Sequence, residues 1–172
     1  MNSPGNAVIR LDLALTVVFA ATAAYAAVVF DTTAQWVGAA TAMGLFAIGV
    51  FTFLWSYWQA VQRSRTDDIA VTQLYLLLGT AVPKSVKRVL WGDLATQVVI
   101  AAVTTLARPN GPDGSPGSSL AVGFLVPMLG FGLNGVWAAR HGRFAVRTTT
   151  PGAVTVDNRD SAAAIGQNAD HG

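Results

Sequence analysis

The sequence predicts an all-α integral membrane protein, built as a four-helix bundle, because its charged residues are few and clustered. Charged residues make up 12% of the 172 residues, about half of the fraction found in a soluble domain. None occurs in three long intervals, 13–30, 32–62 and 114–139. Each interval reaches the roughly 20 apolar residues that let a helix cross a hydrocarbon core.

These intervals, with a less apolar stretch around Asp93, predict four membrane-spanning helices inside a transmembrane domain of residues 11–147. The predicted spans cover 11–30, 36–62, 86–107 and 119–140. Residues 1–10 are expected to form a cytoplasmic N-terminus. Residues 148–172 lack aromatic residues and apolar periodicity, so we expect a disordered cytoplasmic tail.

The long connection between the second and third spans contains the apolar stretch DDIAVTQLYLLLGTAVP, which is too short to cross a membrane unaided. Asp67 can cap a helix here, and Gly79 can end it. The apolar residues that share one helical face are Val71, Leu74, Tyr75 and Leu78. The pattern predicts a short amphipathic helix at 67–79 that lies along the cytoplasmic surface.

The distribution of Lys and Arg predicts that both chain termini lie in the cytoplasm. Nine basic residues flank the spans on the side of the termini and the long connection, and one, Arg108, lies on the other side. The nine are Arg10, Arg63, Arg65, Lys84, Lys87, Arg88, Arg140, Arg143 and Arg147. Because basic residues in short loops are retained in the cytoplasm, we expect a multi-pass protein of the plasma (inner) membrane.

The first span also has features of a cleavable signal peptide. Arg10 precedes an apolar stretch, and Ala24, Tyr25 and Ala26 match an A-x-A cleavage site. Asp12 weakens the basic region that such a peptide requires, and the apolar sequence continues to a spanning length. We expect the first helix to be retained, and cleavage is the alternative.

The stretch MLGFGLNGVWAARHGR contains a G-x-G-x-x-G pattern at Gly130, Gly132 and Gly135, followed 22 residues later by Asp157. In a dinucleotide-binding fold this pattern joins a strand to a helix, and the acidic residue binds the ribose. Pro127 interrupts the required strand, and the remaining chain is too short for the parallel sheet. We therefore expect no nucleotide ligand and place the glycines in the fourth span.

A helix through the fourth span puts four small or polar residues on one narrow face, with Gly132 on the opposite side. The four are Gly123, Pro127, Gly130 and Asn134. Small residues let a neighbouring helix approach closely in lipid, so Gly123 and Gly130 are predicted packing positions. Pro127 is expected to kink the helix and to release the carbonyl of Gly123.

Polar residues at a similar depth in three spans form the main candidate site, namely Asp93, Asn134 and Gln59. Gln97 lies one turn further along on the face of Asp93, and Asp12 lies at the membrane edge of the first span. An ionisable residue within a span is a candidate ion or solute site.

The alternative for Asp93 is a structural anchor at the start of the third span. Pairing with Arg88 or Arg140, or with the positive end of the helix dipole, would keep its carboxylate charged near the membrane surface. Gln59 and Asn134 would then serve as hydrogen-bond partners between helices. The sequence supports both interpretations.

Signatures of enzymes, metals and cofactors are absent from the sequence. There is no cysteine, which excludes thiol chemistry, and no glutamate, so nine aspartates supply every acidic side chain. No H-E-x-x-H, G-x-S-x-G or P-loop motif occurs, and no close pair of carboxylates within a span is evident. We expect a non-enzymatic protein of the lipid bilayer with no cofactor, no metal and no nucleic-acid partner.

The Ala/Val/Gly/Thr-rich spans, the arginine flanks and the polar tail resemble small multi-helix integral membrane proteins of high-GC bacteria. The most distinctive element of this resemblance is GFGLNGVWAARHGR. The resemblance implies a plasma-membrane location and no particular chemistry. The first span lacks the glutamate of the small multidrug transporters, so the sequence departs from the pattern of that four-helix family.

Two functions are compatible with this layout. The first is an accessory or assembly subunit of a membrane complex, which the small size, the packing glycines and the missing catalytic motifs favour. Such a subunit would bind other membrane proteins or further copies of itself. Small-residue pairs such as Ala40 with Gly44 and Ala20 with Ala24 support tight packing, either within the bundle or between copies. The second is a small oligomeric transporter or channel that uses Asp93, Gln97 and Asn134.

Overall fold

The computed structural model describes residues 4–114 and 117–146 of the chain. The predicted tail at 148–172 lies outside these residues. The described part is mostly helical, and it contains helices that are long and apolar enough to cross a membrane, as the sequence predicted. These four segments are Gly5–Val29, Thr32–Arg63, Lys84–Ala107 and Ser119–His141.

Helices and two very short strands make up the regular structure of the described residues. The α-helices are α1 (Pro4–Val29), α2 (Thr32–Arg63), α3 (Val71–Tyr75), α4 (Lys84–Ala107) and α5 (Pro127–His141). A 3₁₀ helix at Ser119–Leu125 directly precedes α5. Strands β1 (Asp67–Asp68) and β2 (Ala145–Val146) pair antiparallel and join the start of the long connection to the segment that follows α5.

A tight turn at Phe30 and Asp31 reverses the chain between α1 and α2. Phe30 has a positive φ of 51°, so the backbone turns within very few residues. The Asp31 carboxylate accepts a hydrogen bond from the Ala34 amide at 2.6 Å, which caps the start of α2. Arg108 strengthens this end by donating to the Ala27 carbonyl at 3.1 Å, with its guanidinium 4.4 Å from the Phe30 ring centre.

The interface between α2 and α5 is the most extensive helix contact in the described chain. Glycines at this interface leave space for the facing helix. A Cβ at Gly49 would lie 2.5 Å from the Leu129 amide nitrogen. A Cβ at Gly132 would lie 2.5 Å from the Gly49 carbonyl oxygen. Since neither position has room for a side chain, these two glycines bring the helix backbones into direct contact.

The fourth span changes from one helical type to another at Pro127, where the sequence predicted a kink. The chain is a 3₁₀ helix up to Leu125 and an α-helix from Pro127 onward. The carbonyl of Gly123, which we expected Pro127 to release, instead accepts the Val126 amide at 3.0 Å. Because 3₁₀ helices bond residue i to residue i+3, this carbonyl is used inside the chain and is not an open acceptor.

The connection between α2 and α4 does not follow the amphipathic helix predicted at 67–79. Its helical part is limited to the five residues of α3. Leu74 and Tyr75 are buried in a core cluster with residues of α5, whereas Val71 and Leu78 are exposed. Part of the predicted apolar face therefore packs against protein rather than lying on a membrane surface.

Arg63, the last residue of α2, forms hydrogen bonds that fix the start of this connection. Its guanidinium donates to the Asp67 carboxylate at 2.9 and 3.1 Å and to the Ala139 carbonyl at 2.8 Å. It also lies 5.4 Å from the centre of the Phe144 ring. One side chain thus joins the end of α2, the strand β1 and the last turn of α5.

The glycines of the G-x-G-x-x-G pattern all lie inside α5 and face different neighbours. Gly130 faces Leu94 of α4, while Gly132 faces α2. Gly135 faces Tyr75 of α3. The pattern is therefore not a turn between a strand and a helix, and it serves close packing on more than one side of the helix.

Candidate functional site

Four polar side chains lie together between α1 and α4, inside segments that are apolar enough to cross a membrane. They are Asp12 and Thr16 of α1 and Asp93 and Gln97 of α4, and we call them the carboxyl cluster. Within each helix the two residues are four apart, so one turn places both on the same face. None of the four is more than 5% exposed.

Hydrogen bonds in the carboxyl cluster converge on Asp93. One oxygen of its carboxyl group accepts the Thr16 hydroxyl at 2.8 Å and the Gln97 amide at 3.2 Å. The Gln97 amide nitrogen also donates to the Thr16 oxygen at 2.7 Å. The three side chains therefore form a closed triangle of bonds that joins α1 to α4.

Asp12 differs from its neighbours because neither of its carboxyl oxygens has a hydrogen-bond partner among the described residues. It is 1% exposed and faces Asp93 and Gln97. The sequence placed Asp12 at the membrane edge, but the structure buries it beside a second carboxyl group. The sequence did not identify this pair of carboxyl groups.

Within the described residues, no basic side chain forms an ion pair with either carboxyl group of the cluster. The ion pair that is present joins Arg63 to Asp67 at 2.9 Å. Arg88 and Arg140, the partners proposed for Asp93 from the sequence, are both exposed and do not pair with it. The surface pairing that would anchor Asp93 is therefore not formed.

A second group of polar residues, the tyrosine cluster, joins α2, α3 and α5. It consists of Ser56, Tyr75 and Asn134 together with the backbone of Phe53. The Tyr75 hydroxyl donates to the Phe53 carbonyl at 2.9 Å, and the two rings stack with centres 3.9 Å apart. The Ser56 hydroxyl lies 3.4 Å from the Tyr75 oxygen, and the Asn134 amide donates to the Tyr75 carbonyl at 3.3 Å.

The close packing around Tyr75 affects the protonation of its hydroxyl and limits which residues can lie beside its ring. Burial raises the pKa of the Tyr75 hydroxyl, and the hydrogen bond with Ser56 opposes part of this increase. The hydroxyl is therefore a donor at neutral pH, as its bond to the backbone carbonyl requires. A Cβ at Gly135 would lie 2.6 Å from the Tyr75 ring, so a glycine is needed beside it.

The structure separates the polar residues that the sequence grouped at one depth. Asp93 and Gln97 lie together, but Asn134 binds the Tyr75 backbone instead of joining them. Gln59 is half-buried and forms no hydrogen bond to a described residue. The compact site is therefore the carboxyl cluster, and the side-chain amides of Asn134 and Gln59 are not part of it.

The predicted packing glycines lie where helices approach one another closely. A Cβ at Gly123 would be 3.2 Å from the Phe19 ring of α1. A Cβ at Gly130 would be 2.8 Å from the Leu94 side chain and 3.1 Å from the Gln97 amide oxygen. Gly130 thus brings α5 against the α4 side of the carboxyl cluster.

Sequence reasoning missed Thr16 and did not group Asp12 with Asp93. A signal was present in the spacing, because Asp12 and Thr16 repeat the four-residue separation of Asp93 and Gln97. Two helices that each carry a polar pair one turn apart can bring those pairs together if the polar faces meet.

The described residues contain no group of three or more His, Asp, Glu or Cys side chains that could hold a metal ion. A cavity of about 530 Å³ lies near the turn between α1 and α2. Its lining residues include Gln35, Trp36, Met43 and Ser119. It does not include the carboxyl cluster, which is closed to solvent.

Comparisons with known proteins found no match to a protein-family model, a curated protein or a solved structure. The described residues form a mostly helical protein with four helical segments long and apolar enough to cross a membrane and a buried carboxyl cluster between two of them. Since a fold alone does not define a function, function is inferred from these clusters and from the exposed helix surfaces.

Proposed function

We propose that the chain is a multi-pass protein of the plasma membrane, folded as a four-helix bundle with both termini in the cytoplasm. We further propose that it is a non-enzymatic accessory or assembly subunit of a membrane complex. The observation that carries the second proposal is Gly44 on α2, a glycine that packs against no other described residue.

Gly44 lies on an exposed face of α2, and a Cβ there would meet nothing within 4 Å. Among the described helical glycines, only Gly92 of α4 is equally open, whereas Gly49 and Gly132 have no room for a side chain. A glycine in a helix interior costs about 0.8–1 kcal/mol relative to alanine. A helix of another subunit that approaches α2 closely would account for that cost.

The exposed face around Gly44 has the spacing of a helix–helix contact. Residues separated alternately by four and three positions run along it and are all exposed: Ala40, Gly44, Ala47, Phe51, Leu54 and Trp58. Alternating separations of four and three residues are the heptad pattern, whose repeat of about 3.5 residues suits a pair of helices that cross at a small angle. The small residues allow close approach in one half of α2, and the large residues supply contact area in the other half.

The proposed orientation is supported by the exposed aromatic residues of α2. Trp36 lies near the start of the helix, and Trp55 and Trp58 lie near its end, all on the surface. Tryptophan is enriched at both membrane–water interfaces, so these positions fit the two edges of a bilayer. The excess of basic residues beside the chain termini favours the cytoplasm for that side.

The assembly role is tested by comparing wild type with Gly44→Leu after extraction in a mild detergent. We expect wild type to elute as a complex larger than one chain, and Gly44→Leu to elute mainly as single copies. Val103→Leu is the matched control, because Val103 is exposed on α4 away from this face. A wild-type protein that stays single even after chemical crosslinking would contradict the proposal.

A transporter or channel is the second candidate, and the unneutralised carboxyl pair is the observation that favours it. Asp12, Thr16, Asp93 and Gln97 would form its site, without the Asn134 of the predicted set. The test is ion and proton flux in vesicles that contain wild type or Asp93→Asn. Flux that is undiminished in Asp93→Asn would remove this carboxyl group from any transport mechanism.

A further inference from the structure

The two carboxyl groups of the carboxyl cluster have different hydrogen-bond environments. Asp93 accepts two donors, the Thr16 hydroxyl and the Gln97 amide, on one oxygen. Neither oxygen of Asp12 forms a hydrogen bond of standard length and angle with a described residue, although Asp12 is 1% exposed and the Asp93 carboxyl and the Gln97 amide lie beside it. A buried carboxylate needs donors, whereas a protonated carboxyl group carries a donor of its own.

This difference matters because charge inside an apolar segment is costly. An ionised Asp12 would lack both water and donors and would repel the second carboxylate beside it. A protonated Asp12 avoids both costs, since its O–H can donate to an Asp93 oxygen. An acid that donates to a carboxylate forms a strong, charge-assisted hydrogen bond.

The helices around the cluster supply no cation in place of this proton. On α1, α4 and α5 the nearest basic residues along the chain, Arg10, Arg88 and Arg140, are exposed and form no ion pair with the cluster. α2 carries no charged residue from Thr32 to Gln62. The groups that do face the two carboxyls, Thr16 and Gln97, are neutral.

We propose that Asp12 and Asp93 form a proton-binding site that holds one exchangeable proton between α1 and α4. The proton lies on Asp12, which donates it to the Asp93 carboxylate. Its release to a base in solvent would leave two adjacent carboxylates and no compensating charge, so release requires water to enter between the helices. This site does not depend on whether the protein is an assembly subunit or a transporter.

Burial of the cluster makes the site an occluded one. None of its four side chains is more than 5% exposed, so the proton can exchange only when α1 and α4 move apart. Gly130 packs against Leu94 and Gln97 and holds α5 over the α4 side of the cluster. Exchange with solvent is therefore coupled to movement of a helix.

Infrared spectroscopy in an ester-free detergent tests the proposal, because a protonated carboxyl group has a C=O stretch distinct from that of a carboxylate. At about pH 8, roughly four units above the ordinary pKa of aspartate, exposed aspartates are ionised. The absence of glutamate leaves aspartates as the only acidic side chains that can contribute. We expect a band equivalent to one carboxyl group per chain, with a slow shift on transfer to D₂O.

Two variants locate the proton, and a third is the control. Asp12→Asn should abolish the band, whereas Asp93→Asn should retain it at a shifted frequency, because Asp12 then donates to an amide. Asp68→Asn, which changes an exposed aspartate, should leave it unchanged. No band in wild type, or a band that survives Asp12→Asn, would overturn the proposal, and neither result would affect the assembly test at Gly44.

Discussion

The tyrosine cluster and the carboxyl cluster are both buried, and both join elements that are distant in sequence, but they differ in how completely their polar groups are used. In the tyrosine cluster the Tyr75 hydroxyl and carbonyl both have partners. In the carboxyl cluster both oxygens of Asp12 lack one. The Asn134 amide oxygen of the tyrosine cluster also lacks a partner, but it belongs to a neutral group. An unpartnered buried carboxyl group differs from it, because a carboxyl group can bind a proton and become a donor itself.

The largest loss of stability is expected from a substitution at Gly135, which lies beside the Tyr75 ring of the tyrosine cluster. Gly135→Val places its Cβ within 2.6 Å of that ring and against Ser56, so overpacking should reduce stability by about 3 kcal/mol. Thermal unfolding in detergent measures the loss. Gly92→Val is the control, because the Cβ position of Gly92 on α4 is open, and its unfolding temperature should change little. Equal losses in the two variants would show that the tyrosine cluster is not closely packed.

Asn134→Leu should have the next largest effect, because it removes the donor to the Tyr75 carbonyl while keeping a similar volume. Interhelical hydrogen bonds in membranes contribute about 0.6 kcal/mol on average and up to about 1.7 kcal/mol, and we expect a loss of about 1 kcal/mol here. Gln59→Leu is the matched control, since Gln59 forms no hydrogen bond to a described residue. A larger loss for Gln59→Leu would contradict the assignment of Asn134 to the tyrosine cluster.

Ionisation of Tyr75 makes the stability of the protein depend on pH in the alkaline range. Burial raises its pKa in the folded protein, so an unfolded Tyr75 releases its proton first, at about pH 10. Stability should therefore be constant at neutral pH and fall as the pH rises above about 10. Tyr75→Phe should lose about 0.6 kcal/mol at neutral pH and show a weaker alkaline decrease. Unfolding measured over a series of pH values tests this, and an alkaline decrease as large in Tyr75→Phe as in wild type would contradict the role of Tyr75.

Asp12→Asn should produce the smallest change in stability of the four variants. If Asp12 is a neutral acid that donates to Asp93, an amide of the same shape can donate in its place. The unfolding temperature at neutral pH should then stay close to that of wild type. A large increase in stability would mean that the variant had relieved repulsion between two ionised carboxylates, which would contradict a shared proton.

The four long apolar helices could be predicted from the sequence because hydropathy and the absence of charge are local properties of each segment. The pairing of Asp12 with Asp93 could not, because it depends on how α1 and α4 are rotated against each other. Of the four residues predicted to share an apolar face, Leu74 and Tyr75 are buried, whereas Val71 and Leu78 are exposed, because periodicity alone does not tell whether such a face meets lipid or protein. Tertiary packing decided both points.

Arg63 carries a consequence for how the chain is assembled during synthesis. Its Ala139 acceptor lies 76 residues further along the chain, so the end of α2 leaves the ribosome well before this partner exists. If α2 crosses the membrane in the proposed orientation, the guanidinium stays in water at the membrane surface during that interval and helps to fix the position of α2 while later helices are made. The hydrogen bond to Ala139 can form only after α5 has been made. In the proposed topology, a residue that helps to orient α2 early in synthesis therefore attaches the last helix at the end.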